Sequence, residues 1–211
     1  NENFTVFVDQ ILDHASSSNT VDTLDALLAQ EFSGDAATLD EFIKAKVGEL
    51  GENMGLTRFT KYELDCEGVV GSYIHMAGRV GVLVEVKVGK ADTASNDAFT
   101  TFVKNIGMHI AASQPICIGR DEVPSELVEA EKDIFREQMK DKPADIIERI
   151  IDGKMGKFYA TNCLLEQAFI MDTEKSIQDL VGELSKETGD EISISRFERY
   201  GLGEAAEDGE E

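Results

Sequence analysis

The chain repeats itself, and the form of the repeat restricts the folds open to it. Asn1-Glu2-Asn3-Phe4-Thr5-Val6-Phe7-Val8-Asp9-Gln10-Ile11 recurs as Asn96-Asp97-Ala98-Phe99-Thr100-Thr101-Phe102-Val103-Lys104-Asn105-Ile106, an offset of 96 − 1 = 95. The Phe, Phe-Val and Ile positions fall at i, i+3, i+4 and i+7, the stripe of an amphipathic helix. A second stretch, Gly51-Glu52-Asn53-Met54-Gly55-Leu56-Thr57-Arg58-Phe59-Thr60-Lys61-Tyr62, resembles Gly189-Asp190-Glu191-Ile192-Ser193-Ile194-Ser195-Arg196-Phe197-Glu198-Arg199-Tyr200, an offset of 189 − 51 = 138. Both copies alternate apolar and polar residues in the manner of half-buried strands, over Leu56 to Tyr62 and Ile192 to Tyr200. Between these matches, Val47-Gly48-Glu49-Leu50 returns as Val181-Gly182-Glu183-Leu184, an offset of 181 − 47 = 134.

Two related halves follow, each reading helix, helix, strand. The growth of the offset places an insertion of 134 − 95 = 39 residues in the second half. That insertion has its own pattern. From Ser125, an N-cap residue type, Val128, Ile134, Phe135 and Met139 run to a Lys140-Asp141-Lys142-Pro143 break, and a second helix carries Ile146, Ile147, Ile150, Ile151, Met155 and Phe158. Ahead of the second half stand two strand-like runs, Val69 to Met76 and Arg79 to Val88, turned at Ala77-Gly78. The first half shows no such runs ahead of its helix, so the chain is expected to start part-way through a repeat.

The expected fold class is therefore α+β: two repeated subdomains, each a small antiparallel sheet packed with helices, and a protruding antiparallel helical hairpin in the second. The expected boundaries are residues 1–68 for the first subdomain, which lacks its opening strands, and 69–204 for the second, with the hairpin over about 125–159. An acidic tail follows over 205–211.

With 42 acidic against 20 basic residues, the net charge of −22 sets up a field that repels nucleic acid and anionic membranes. The longest strongly apolar run, around Val80 to Val84, falls far short of the roughly 20 residues that cross a bilayer. Cys66, Cys117 and Cys163 are odd in number and widely spaced without a CxxC, which points to reduced thiols rather than a disulfide framework or a zinc site. His14, His75 and His109 have no metal-ligand spacing. No GxxxxGK[ST] loop, GxGxxG junction or GxSxG elbow occurs, so no cofactor, bound nucleotide, metal or catalytic residue is expected, and the chain reads as a non-enzyme.

Several segments resemble elongation factor Ts. They include Gly48 to Asn53 leading into Arg58-Phe59, Gly71-Ser72-Tyr73-Ile74-His75, Gly78 to Val86 and Gly107-Met108-His109-Ile110-Ala111-Ala112-Ser113-Gln114-Pro115. Further along come Lys142-Pro143, Gly153 to Tyr159, Leu164 to Ile170 and Arg196 to Tyr200. Their order and spacing span nearly the whole chain. The family's Thr-Asp-Phe-Val signature and its small N-terminal helical domain have no counterpart in these residues. Ala168 stands where the family usually has Pro, and Asp141 where Gly commonly precedes Lys-Pro.

The resemblance implies a translation elongation factor that binds elongation factor Tu and promotes release of its GDP. It implies a cytoplasmic protein, or one of the mitochondrial matrix or plastid stroma, with a homodimer left open. It carries Val80, Gly81, Met108 and His109 over as the surface that meets Tu. Three residues beyond Ile106, His109 is expected at the edge of the apolar stripe of its helix, within reach of a partner; the plainer expectation is a structural histidine. Without the Asp-Phe element, this chain is expected to bind Tu more convincingly than it exchanges nucleotide. The rival reading is a translation-associated scaffold of the same fold that binds a partner without exchange.

Overall fold

The computed structural model describes residues 2–18, 23–32, 37–139 and 143–204; the tail over 205–211 and Lys140, Asp141 and Lys142 lie outside them. The chain is α+β and divides into two compact units, one ending at Lys61 and one spanning Tyr62–Glu204.

The first unit holds α1 (Glu2–Ser17), α2 (Leu24–Leu28) and α3 (Leu39–Leu50). Thr38 starts α3 by accepting a hydrogen bond from the Glu41 amide at 3.2 Å, and Gly51, at φ +72°, ends it in the left-handed conformation that glycine adopts without a Cβ penalty. Phe7, Leu27, Phe32, Leu39 and Ile43 form the core, with the rings of Phe32 and Phe42 stacked 4.2 Å apart. The strand expected over Leu56 to Tyr62 is not formed. Leu56 and Phe59 do pack on this core, so the apolar positions report burial. Among the described residues of the unit there is no sheet edge to join, and a strand exists only by pairing.

The second unit opens with β1 (Gly68–His75) and β2 (Val80–Val88), followed by α4 (Ala91–Ala94) and α5 (Asp97–Ser113). Then come α6 (Ser125–Gln138), α7 (Ala144–Asn162), β3 (Ala168–Phe169), β4 (Asp172–Ser176), α8 (Ile177–Thr188) and β5 (Ile192–Gly201). The main sheet is antiparallel with order β1-β2-β5, and β3 pairs with β4 as a separate short ribbon.

One face of the main sheet packs on α5. Val82, Val84 and Val86 on β2 point into this core with Phe99, Val103, Ile106 and Ile110 from the helix. The approach is close. A Cβ on Gly71 of β1 would meet Val103 Cγ1 at 2.3 Å, and one on Gly107 of α5 would meet Tyr73 Cβ at 3.0 Å.

Strand β5 keeps its apolar residues on the core face by means of a bulge. Val84 pairs with Phe197 and Val86 with Ile194, although Ile194 and Phe197 are an odd number of residues apart. Ser195 is the extra residue that restores the phase. It is also where the alternation in the sequence breaks.

Helices α6 and α7 form the antiparallel hairpin. Val128 near the start of α6 packs with Phe158 and Tyr159 near the end of α7, while Arg136 reaches Glu148 at 3.4 Å toward the other end. Pro124 rather than Ser125 occupies the cap of α6, and Ser125 is its first helical residue. At the hairpin base Cys117 and Cys163 are buried, with their Sγ atoms 3.6 Å apart. Burial pushes the Cys117 thiol up to about 12 and raises that of Cys163.

Candidate partner-binding surface

Val80 and Gly81 open β2 beside the β1–β2 turn. Val80 pairs with His75 and Gly201, and Gly81 with Ile74 and Tyr200. The turn is tight: Met76, Ala77 and Gly78 have φ of +50°, +55° and +90°. Two consecutive non-glycine residues in the left-handed region store backbone strain of order 1–2 kcal/mol each. Gly78 serves the turn. Gly81 lies in extended strand, where a Cβ would touch Ile74 Cδ1 at an ordinary 3.6 Å.

The tip is apolar and open to solvent, with Ile74 at 66% and Met76 at 60% exposure beside half-buried Val80 and Gly81. Gly107 of α5 abuts Tyr73 of β1, which brings its neighbour Met108, also half-buried, to this same end of the unit.

His109 departs from its expected place. It is fully buried, not at an accessible edge. The α5 stripe is wider than the apolar residue types suggest, because α5 is covered on one side by the sheet and on another by the segment running from α7 into β3. His109 meets that second cover. Its Nε2 lies 2.9 Å from Gln167 Oε1, its Nδ1 lies 3.5 Å from Ser113 Oγ, and its ring faces Phe169 with centroids 6.0 Å apart.

The network fixes the tautomer. The Gln167 amide nitrogen donates to Ser113 O at 3.2 Å and Thr161 O at 2.6 Å, so its Oε1 is the acceptor and His109 Nε2 carries the proton. Nδ1 is left to accept from Ser113. Burial lowers the imidazole pKa below its ordinary value, and the bond to Gln167 offsets this only in part. Gln167, itself 4% exposed, thus joins α5, the end of α7 and β3. Sequence reading assigned it no role. It stands 58 residues from His109, and no spacing rule connects them.

The open face of the sheet holds a buried carboxylate. Glu85 is 1% exposed. It accepts from Arg196 Nε and Nη2 at 2.9 and 2.6 Å and from Ser195 Oγ at 2.6 Å. Burial pushes the Glu85 carboxyl up, but the hydrogen bonds from Ser195 and Arg196 and the guanidinium charge outweigh it and hold the group below the usual value. The β5 bulge aims both donors at it.

Comparison with known proteins gives these surfaces a context. The sequence matches the family described as Elongation factor TS over residues 1–204. The chain belongs to this family. "Elongation factor Ts" of Trichlorobacter lovleyi is 40% identical over 210 residues, covering 98% of this chain and 67% of that protein. "Elongation factor Ts" of Thermotoga maritima is 39% identical over 179 residues, 85% of this chain and 87% of that one. A Geobacter relative of the same name is 51% identical over 140 residues, 65% of each chain. This chain thus matches about two thirds of the length of several of these relatives. Among the described residues no helix is long and apolar enough to cross a membrane.

Proposed function

We propose that this chain docks on elongation factor Tu through the end of the second unit marked by Val80, Gly81 and Met108, and thereby promotes GDP release. Membership of the elongation factor Ts family supports the partner. The observation that carries the surface is the exposed apolar tip, Ile74 and Met76, beside two of the residues expected to meet Tu. His109 contributes from inside, by fixing the turn of α5 that presents Met108.

An exchange factor needs no covalent chemistry. It binds the nucleotide-free GTPase better than the GDP form, and the difference in binding free energy weakens GDP by the same factor. A tenfold preference corresponds to about 1.4 kcal/mol of coupling. An apolar tip on a tight turn suits this work, because little backbone freedom is left to lose on docking.

The test measures release of a fluorescent GDP analogue from Tu alongside direct binding of the 211-residue chain. Association with faster release supports the proposal, and Ile74→Glu at the exposed tip or Met108→Glu is expected to weaken binding roughly tenfold while leaving the fold intact. Association without faster release favours the scaffold reading. Absence of association by the folded chain overturns the proposed partner.

A further inference from the structure

Helices α5 and α8 do not close against each other along their whole length. A groove of about 410 Å3 runs between them, floored by Ala98, Phe102, Phe169, Leu180 and Leu184. Its rim is acidic, formed by Asp97 of α5 and by Glu183 and Glu187 of α8. Glu183 and Glu187 stand at i and i+4, a like-charge pair that opposes its own helix by a few tenths of a kcal/mol. Glu183 has one cation, Lys175, at 2.7 Å in an exposed pair worth little in water. Asp97 and Glu187 have no ion pair among the described residues.

We propose that this groove is a docking site for a basic amphipathic helix of a partner protein, with large apolar side chains seated on the floor and Lys or Arg residues along the acidic rim. Three observations select that occupant. Both walls are helices whose backbone groups are already paired, and the β3 strand beneath Phe169 is only two residues long, so an extended peptide would find little sheet edge to join, whereas an apolar helix face fits a groove of this kind. The rim carries one sign of charge, and cations there would relieve the Glu183–Glu187 repulsion. A second copy of the chain is the wrong partner, because each copy carries a net charge of −22 and the same acidic rim. The site does not depend on the proposed action at Tu.

The probe is a dye-labelled synthetic helical peptide of about fifteen residues. It has leucines at i, i+4 and i+7 and lysines flanking them, and is compared with a scrambled peptide of the same composition. Fluorescence anisotropy with the intact chain is expected to show the patterned peptide binding at least about tenfold more tightly than the scrambled one, with a steep loss of affinity on adding salt. Amide NMR shifts should concentrate at Thr101, Leu180 and Glu187. Glu183→Lys with Glu187→Lys, both exposed, is expected to abolish this preference and to transfer it to the peptide in which glutamates replace the lysines. The control Glu126→Lys with Glu129→Lys on α6 should leave it unchanged. Equal binding of patterned and scrambled peptides, shifts located elsewhere, or an unaffected charge-reversed variant of native melting temperature each overturn the proposal.

Discussion

His109 Nε2 and Gln167 Oε1 lie 2.9 Å apart in a fully buried site, and this bond decides what His109 is for. A side chain with no exposed surface does not touch a partner across an interface. It fixes α5 against the segment that leads from α7 into β3.

His109→Ala is therefore expected to destabilise the second unit by about 2–4 kcal/mol, from the cavity left by the ring and from Gln167 Oε1 losing its donor. Thermal unfolding followed by circular dichroism reads this directly. Unchanged melting together with lost binding to Tu would show that the ring reaches the surface in solution.

Burial of the same ring gives a pH dependence with a definite sign. Burial lowers the pKa of His109 in the folded protein below the ordinary value near 6.5, so the folded state binds fewer protons than the unfolded one. The stability contributed is complete above about pH 6.5 and is lost as pH falls through the folded-state value. Denaturant unfolding at pH 7.5 and at successively lower pH down to about 5, above most carboxylate titration, should show falling stability. In His109→Gln, which cannot titrate, that slope should be reduced. An identical slope in both proteins would assign it to other groups.

Arg196→Ala should cost about 2–3 kcal/mol, because it leaves the Glu85 carboxylate buried with Ser195 as its remaining close donor and Lys87 at 3.6 Å. Arg196→Lys should recover only part, since an ammonium lacks the two-pronged fork that engages Oε2. Glu85 has a depressed pKa, so its contribution is present above the unfolded-state value and lost as pH falls through the folded-state one. Acid unfolding of Arg196→Ala should accordingly begin at a higher pH than in the unmodified chain. An acid midpoint that does not move would mean that Ser195 and Lys87 sustain the charge without Arg196.

Much of this architecture is legible in the sequence because it is local. The strands β1 and β2, the helix α5 and the α6–α7 hairpin each announce themselves by period within a few positions, although the cap of α6 falls on Pro124 rather than on Ser125. Asn96 Oδ1 accepts from the Ala98 amide at 2.8 Å, as its residue type suggests. What the pattern does not carry is pairing at a distance. Leu56 and Phe59 stand three residues apart, which would put them on opposite faces of a regular strand, and their segment has no edge to join. The burial of His109 depends on Gln167 arriving from the far side of a long insertion. The β5 bulge leaves a trace, the broken alternation at Ser195, but its consequence, a paired Glu85, needs the register of β2.

The contact between Gly71 and Val103 allows the packing of α5 on the sheet to be tested with a compensating pair. Gly71→Ala sets a methyl 2.3 Å from Val103 Cγ1, well inside contact distance, within a core where Val103 is only 4% exposed. Either the valine rotates away from its preferred well or α5 lifts from β1, and overpacking of this kind costs about 1–3 kcal/mol. Val103→Ala alone should cost a similar amount through the cavity it leaves. Combined, the new methyl occupies part of the space that the valine vacated, so the double variant should be more stable than the sum of the single losses by roughly 1 kcal/mol or more. Urea unfolding of all four proteins measures that coupling. Strict additivity would mean that α5 and β1 do not meet at these residues, and the path by which Gly107 and Tyr73 bring Met108 toward the β1–β2 turn would fall with it.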